Sequence, residues 1–291
     1  MTSTFLQFLF SGLTLGAIYA LAGLGFSIIY NASHVINFAQ GEFLMIGAMA
    51  TVSLVGLGLP LELAIPLAVA VTAAVGMALA RFAVVPAGDA SVVTVIIITI
   101  GASILLRGVA QVVWDKEFHA LPAFSGTVPI SVLGATMLPQ SLWVMGVSLA
   151  VILALGWFFG RTMAGKAMLA VSYSRLGAQL VGVPIRRVLL TSFALSAALG
   201  AVGGIVVAPI TFTSYEAGIM LGLKGFSAAV LGGLGNGLGA VLGGLVVGIA
   251  EAMSAGYLSS AYKDATAFVI ILVVLFFLPN GLLGHKGSER V

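Results

Sequence analysis

Residues 225–257 read GFSAAVLGGLGNGLGAVLGGLVVGIAEAMSAGY, an apolar run that is rich in glycine and carries one charged residue, Glu251. The run is long enough to cross a membrane more than once. Because glycine destabilises a helix interior, we expect a short helix over Gly225–Gly233, a turn at 235–237 and a full span over Leu238–Tyr257. A broken helix is tolerated at membrane depth only where protein buries it or where it lines a water-filled cavity, so this break is a candidate transport site.

Glycine spacing offers a second explanation for this composition. Glycines stand four residues apart in the pairs Gly12/Gly16 and Gly244/Gly248. In lipid, small residues at this spacing allow two helix backbones to approach closely. Tight helix packing is therefore an alternative to a pathway role for the glycines of residues 225–239.

The composition of the whole chain indicates a polytopic membrane protein. Of its 291 residues 60% are hydrophobic and 7% are charged, whereas soluble proteins average about 25% charged residues. So little charge excludes a large soluble enzyme, a nucleic-acid-binding protein and a disordered chain. Cysteine is absent and the three histidines are scattered, so we predict no disulfide and no metal site.

Further apolar runs predict more membrane helices, since each approaches the ~20 residues that a helix needs to cross a bilayer. With the two glycine-rich helices they predict an all-α, polytopic transmembrane helical bundle of nine spans, and eight or ten remain alternatives. The first run lacks a basic region and is too long for a signal-peptide core, so we expect it to be retained. The runs are Phe5–Tyr30, Ile36–Leu59, Leu61–Val85, Val92–Trp114, Ser141–Gly160, Val188–Ala208 and Ala265–Leu283.

The distribution of basic residues predicts the topology. The loop Arg161–Arg187 carries five basic residues and no acid, and Lys and Arg near span ends mark the cytoplasmic side. We therefore expect this loop and the tail Gly284–Val291 to be cytoplasmic, and the loop Trp114–Gln140 and the N-terminus to be external.

The basic loop is expected to form one or two short amphipathic helices on the membrane surface. Gly177 and Gly182 are its expected breaks, and Pro184 can begin the next helix. An ordinary topology signal and a docking surface for a cytoplasmic partner both fit these features. The residues expected to share one helical face are Val171, Arg175, Ala178 and Val181.

Charged residues on apolar spans are candidates for function. Glu42, at the start of the second predicted span, is either an interfacial carboxylate or part of a pathway. Arg107 either extends to the interface or pairs inside the bundle. The predicted substrate-pathway residues, chosen because they are polar or break a helix, are Tyr19, Asn37, Gln40, Glu42, Thr99, Gly232, Gly233, Gly235 and Glu251.

One near-match to a phosphate-binding loop is rejected. Residues 160–167 fit G-x-x-x-x-G-K but continue with Ala167, where the motif needs a Mg²⁺-binding Ser or Thr, and a membrane span precedes them where the motif needs a strand. The motifs H-E-x-x-H and G-x-S-x-G do not occur. We therefore predict that the chain has no catalytic residue and does not itself hydrolyse ATP.

Four segments, in order along nearly the whole chain, resemble one family. They are GAIYALAGLG (16–25), NFAQGE (37–42), the loop 165–184 and GFSAAVLGGLGNGLGA (225–240). They resemble the bacterial branched-chain (hydrophobic) amino acid ABC transporter permease family, in its shorter, LivH-type subunit. Two departures from the family are Tyr173–Leu176, where an acidic or amide residue is common, and Gln40, where His is common.

This resemblance implies an ATP-driven importer in the bacterial inner membrane. Residues 1–291 would form one transmembrane permease domain of the vitamin-B12-importer-like (type II) class, paired in membrane lipid with a second homologous permease or with its own copy. Two cytoplasmic ATP-binding subunits would hold ATP and Mg²⁺. A periplasmic substrate-binding protein would deliver a branched-chain or hydrophobic amino acid, or a related small carboxylate or amide.

The resemblance also implies that the loop 161–187 couples the permease to its ATPase. A secondary transporter or channel independent of ATP, a non-transporting scaffold and an intramembrane enzyme remain as alternatives; the scaffold fits less well because broken helices are costly unless they line something. The predicted ATPase-coupling residues are Leu169, Val171, Arg175, Leu176, Gly177, Leu180 and Gly182.

Overall fold

The structure, a computed structural model, describes residues 2–88, 90–132 and 134–284. Helices dominate these ranges, together with one antiparallel hairpin of β1 (Ile130–Val132) and β2 (Ala135–Met137). The α-helices are α1 (Thr2–Ser33), α2 (Gln40–Gly56), α3 (Leu61–Leu79), α4 (Val92–Trp114), α5 (Pro139–Arg161), α6 (Met163–Tyr173), α7 (Arg175–Leu180), α8 (Ile185–Thr211), α9 (Ala217–Gly232), α10 (Gly237–Tyr257) and α11 (Lys263–Phe277).

The predicted all-α transmembrane bundle is confirmed. Seven helical segments are long and apolar enough to cross a membrane, and α2 and α9 are shorter apolar helices of 17 and 16 residues. Their order agrees with the prediction, but α9 begins at Ala217 and not at Gly225. The charged side chain of Lys224 does not end this helix, because Glu251 and Asp264 pair with it inside the bundle.

The most deeply buried span is α1, which packs along α10. A Cβ on Gly16 would collide with the backbone of Leu245, and a Cβ on Gly248 would collide with the backbone of Gly16. Glycine at these positions therefore allows the two backbones to touch, as the four-residue spacing predicted. By contrast, α3, α4, α5 and α11 bury little of their surface within the chain.

Contacts between loops define the two ends of the bundle. His119 and Thr213 exchange backbone hydrogen bonds of 2.8 and 2.9 Å, and Gln7 near the start of α1 donates to Thr136 in β2. These segments lie at one end, which we call the outer end. The helices α6 and α7 follow the 23-residue helix α5 to the opposite, inner end. Of the predicted tail Gly284–Val291, all but Gly284 lies outside the described residues.

The glycine-rich hairpin breaks where the sequence predicted. Helix α9 ends at Gly232, and Gly233 (φ +101°) and Gly235 (φ +86°) adopt a conformation that glycine reaches without strain. The Asn236 side chain accepts a backbone N–H at 3.0 Å and caps α10. Asn31, near the inner end of α1, donates to the carbonyl of Gly235 at 2.8 Å. The break therefore lies at the inner end of the bundle and not at its middle.

Candidate functional site

Glu42 lies at mid-depth in the bundle. The chain between α1 and α2 runs without helical structure into the bundle, where the N–H of Phe38 donates to Thr99 Oγ1 at 3.2 Å. Glu42 contacts Ser103 of α4, which lies about 16 Å from the inner start of that helix at 1.5 Å per residue, in a helix about 34 Å long. An interfacial position for Glu42 is therefore wrong.

Two side chains of α4 contact Glu42. Ser103 Oγ donates to Glu42 Oε1 at 2.7 Å, and Arg107 Nε lies 3.2 Å from the same oxygen. The Arg107 Nε–H does not point at that oxygen, so the contact is an ion pair without a hydrogen bond. The side chains of Glu42 and Arg107 are 3% and 29% exposed, so Arg107 pairs inside the bundle, which was one of its two predicted alternatives.

A cavity of about 160 Å³ lies beside this ion pair. An engineered cavity of roughly 150 Å³ in another protein holds benzene, so this space suits a small solute. Most of the wall is apolar, and the charged groups lie at one side. The lining residues are Phe26, Phe38, Gly41, Glu42, Ile100, Ser103, Arg107, Gly218, Ile219, Gly222, Leu223 and Phe226.

Two helices begin at the wall of this cavity. Helix α2 begins at Gln40 and runs toward the outer end, whereas α9 begins at Ala217 and runs toward the inner end. Gly41 and Gly218 pack so closely that a Cβ on either would collide with the carbonyl of the other. Neither helix start has a side-chain cap. The positive ends of two helix dipoles therefore meet here and favour an anionic group.

Three other predicted pathway residues hold the non-helical segment before α2 in place. Thr99 accepts the N–H of Phe38, and Asn37 Oδ1 accepts a backbone N–H at 3.1 Å. Gln40 is fully buried and pairs with Ser196 at 2.6 and 3.2 Å. Gln40 cannot reach a solute without losing these hydrogen bonds, so it supports the segment in this structure and its pathway role stays a prediction.

Tyr19 and Glu251 belong to a separate buried cluster. Glu251 accepts hydrogen bonds from Tyr19 at 2.9 Å and from Lys224 at 2.6 Å, and Lys224 also donates to Asp264 at 2.6 Å. This cluster joins α1, α9, α10 and α11 and does not line the cavity, so the pathway role of Tyr19 and Glu251 stays a prediction. The sequence analysis missed Lys224 and Asp264, although a carboxylate inside a membrane calls for a cationic partner.

The glycines of the α9–α10 break also lie away from the cavity. A Cβ on Gly232 would collide with Gly239, and a Cβ on Gly233 would collide with Gly284. The chain itself covers Gly232 and Gly233, so these two do not line this cavity, and the pathway role of the three glycines stays a prediction. Gly235 lines a different cavity of about 230 Å³ at the inner end, between α1, α5, α6 and α10.

The basic loop forms two short helices, as predicted, but its first break is at Ser174 and not at Gly177. Ser174 Oγ accepts the N–H of Gly177 at 3.0 Å and so begins α7. Gly182 (φ +84°) follows α7, in agreement with its predicted role as a break. Since the helix breaks at Ser174, the expected common face does not form: Val171 is buried in the chain's own core, whereas Val181 is 78% exposed.

The exposed side chains of α6 and α7 form an apolar and basic surface at the inner end. Leu176 is 67% and Leu180 80% exposed, and Leu169 is 37% exposed, with Arg175 exposed beside them. We call these four residues the inner surface. Val171 cannot contact a partner as predicted, because its side chain is fully buried.

Comparisons with known proteins find similar sequences along nearly the whole chain. A family model described as "Branched-chain amino acid transport system / permease component" matches residues 8–277. The high-affinity branched-chain amino acid transport system permease protein LivH of Escherichia coli is 34% identical, over 99% of this chain and 98% of its own length. The corresponding permease protein BraD of Pseudomonas aeruginosa is 33% identical over the same shares.

A solved structure has the same overall fold. PsaBC from Streptococcus pneumoniae, in complex with a Fab, covers 96% of this chain and 97% of its own with a TM-score of 0.53. The sequence identity is 16%, so this likeness concerns the fold alone.

Proposed function

The chain belongs to the family of branched-chain amino acid transport permeases, and from this premise we propose that it is the transmembrane permease subunit of an ATP-driven importer. It is a multi-pass protein of the bacterial inner membrane. Its substrate is a branched-chain or other hydrophobic amino acid, or a related small carboxylate or amide. The names of the LivH and BraD relatives support the substrate class.

The observation that carries this proposal is the cavity at mid-depth. The cavity is small and mostly apolar, and it contains one carboxylate and one guanidinium at the start of two helices. It therefore suits a small solute with an apolar side chain. Non-helical backbone at membrane depth is costly unless protein buries it or it lines a wet cavity. Of the predicted pathway residues, Glu42 therefore contacts the solute, and Asn37 and Thr99 position the segment beside it.

The proposed complex contains further subunits. A second, homologous permease covers the exposed apolar faces of helices such as α4, which bury little surface within this chain. Two cytoplasmic ATP-binding subunits dock at the inner surface and hold ATP and Mg²⁺, and a periplasmic binding protein delivers the substrate at the outer end. ATP hydrolysis takes place in the partners and not in this chain.

Uptake by proteoliposomes tests this proposal. The chain is reconstituted with the second permease, the ATP-binding subunits and the binding protein of the same bacterium, and the uptake of radiolabelled leucine is measured. We expect uptake with ATP and Mg²⁺ on the side of the ATP-binding subunits, and background uptake with a non-hydrolysable ATP analogue. Equal uptake in both conditions, or uptake by the chain alone, would contradict the proposal and favour the secondary transporter or channel.

A further inference from the structure

We propose that a further cavity, at the inner end of the bundle between α7 and the starts of α4 and α8, binds the headgroup of an anionic phospholipid. Its volume is about 600 Å³, and it shares no described lining residue with the cavity beside Glu42. The inference goes beyond the proposed transport function, because the ligand is a lipid of the surrounding membrane and not the transported solute.

Arginines from two helices line this cavity. Arg175 is the first residue of α7, and Arg186 is the second residue of α8. Helix α8 begins without a side-chain cap, so the positive end of its dipole adds to these charges. Among the residues that the structure describes, the lining includes no Asp or Glu. Asp89 follows Gly88 of the lining in the sequence, and the two arginines still outnumber it. The cavity therefore suits an anionic group.

The cavity lies at the depth of lipid headgroups. Helices α4 and α8 begin at Val92 and Ile185, and both residues line it. Val95 and Leu189 also line the cavity and are buried about one turn, or roughly 5 Å, further into the bundle. Basic groups therefore stand at the membrane surface with apolar side chains beneath them.

This order of charged and apolar groups favours a phospholipid over a free anion. A phospholipid carries its phosphate at the membrane surface and its apolar chains beneath, whereas inorganic phosphate has no apolar part. Basic pockets between membrane helices on the cytoplasmic side recognise anionic headgroups in this way. The predicted cytoplasmic position of the inner end agrees with such a site.

Neutral side chains supply further hydrogen bonds to the phosphate. Gln179 of α7 and His34 after α1 line the same cavity and are exposed. Phosphate oxygens accept hydrogen bonds, and amide, imidazole and guanidinium N–H groups donate them. A headgroup between Arg175 and Arg186 joins α7 to α8. The lipid therefore holds part of the inner surface against the bundle.

Native mass spectrometry of the purified complex of both permeases and the ATP-binding subunits tests the inference. The complex is freed of lipid in detergent and titrated with phosphatidylglycerol or with phosphatidylcholine of the same acyl chains. We expect the first phosphatidylglycerol to bind at least about tenfold more tightly, because the choline cation repels the arginines and neutralises the phosphate. Equal affinity for the two lipids would overturn the inference.

Variants of neighbouring arginines locate the lipid. Arg186→Gln is expected to weaken binding of the first phosphatidylglycerol about tenfold or more, since a charge-assisted hydrogen bond is lost. Arg186→Lys keeps the charge and should recover most of the affinity. The matched control is Arg187→Gln, because Arg187 is also exposed on α8 but does not line the cavity. Equal losses in Arg186→Gln and Arg187→Gln would show only a general attraction of the basic loop and would overturn the site.

Two other occupants of the cavity give different results. In phosphatidylcholine nanodiscs, we expect added phosphatidylglycerol to raise the unfolding temperature of the complex, and inorganic phosphate to leave it unchanged. An equal rise with inorganic phosphate would overturn the lipid in favour of a free anion. Normal phosphatidylglycerol binding by Arg186→Gln, together with loss of the ATP-binding subunits, would overturn it in favour of a protein partner.

Discussion

Lys224 of α9 pairs with carboxylates on α10 and α11 and so connects these three helices. Its ammonium contacts the carboxylates of Glu251 and Asp264 at 2.6 Å each, and it is almost fully buried. Removing one partner of a buried ion pair leaves an uncompensated charge in a medium of low dielectric constant. The pairing of Lys224 allows α9 to run from Ala217 through this charged residue, whereas the sequence analysis had begun the helix at Gly225.

We expect Lys224→Met to destabilise the chain by about 3–5 kcal/mol, because it leaves Glu251 buried without a cation. Thermal unfolding of the purified permease in detergent measures this. Asp264→Asn is the matched control with a smaller expected effect, because the Asp264 side chain is 39% exposed. If Lys224→Met is as stable as the wild type, the ion pairs of Lys224 with Glu251 and Asp264 do not stabilise the fold.

At the residue scale, the sequence predicted which positions are unusual but not what they do. Glu42 and Glu251 stood out because charge is rare in membrane spans. Arg107 stood out as well, but its pairing with Glu42 did not, because it lies 65 positions after Glu42. Lys224, 27 positions before Glu251, was missed altogether. Only the packing of α2 on α4, and of α9 on α10, joins these pairs, and a single sequence carries no signal for it.

Among the elements, the contact of α1 with α10 depends on the absence of side chains. We expect Gly248→Ala to destabilise the bundle by about 1–3 kcal/mol, because the new methyl group would overpack against the backbone of Gly16. The control is Gly108→Ala on α4, where no atom of the described residues lies within 4 Å of the added Cβ. This control should be neutral or stabilising by up to ~1 kcal/mol, since alanine favours a helix. Thermal unfolding compares the two, and equal effects would contradict the packing explanation.

The helices α6 and α7 are expected to couple the permease to the ATP-binding subunits. Leu176 is exposed at the inner surface, so Leu176→Asp should leave the chain folded but weaken co-purification of the ATP-binding subunits. The lost apolar burial is worth about 1.5–3 kcal/mol, or roughly tenfold to a hundredfold in affinity. Val128→Asp in the outer loop, at 79% exposure, is the control that should not change co-purification. If the Leu176→Asp variant co-purifies with the ATP-binding subunits as the wild type does, the loop 161–187 is only a signal for membrane topology.

The approximate positions of the helices could be predicted from hydrophobic runs and basic residues in the sequence. The residues at which the helices end could not, because they depend on side-chain contacts in the folded protein. Helix α7 begins at Arg175, directly after Ser174, because the serine side chain supplies a capping hydrogen bond that Gly177 cannot. Helix α2 begins at mid-depth because Asn37 and Thr99 bond to the non-helical backbone before it. Such side-chain contacts across the bundle are not visible as a periodic pattern, so the predicted span from Ile36 was too long.

For the whole molecule, the predicted orientation is that the inner end is cytoplasmic. The chain has no cysteine, so Ser172→Cys in α6 and Ser125→Cys in the loop 115–138 can each be labelled alone in intact cells. We expect a membrane-impermeant maleimide to label Ser125→Cys from outside, and Ser172→Cys only after the membrane is opened. Labelling of both from the same side would contradict the topology.

The central claim is that the substrate occupies the cavity where α2 and α9 begin, and cysteine protection at Ser103 tests it most directly. Ser103 lines the cavity beside Glu42, so the Ser103→Cys thiol should react with a small methanethiosulfonate reagent in the purified complex. We predict that saturating leucine slows this reaction at least several-fold and leaves the reaction of Ser125→Cys unchanged. A Ser103→Cys thiol that reacts at the same rate with and without leucine would contradict the claim.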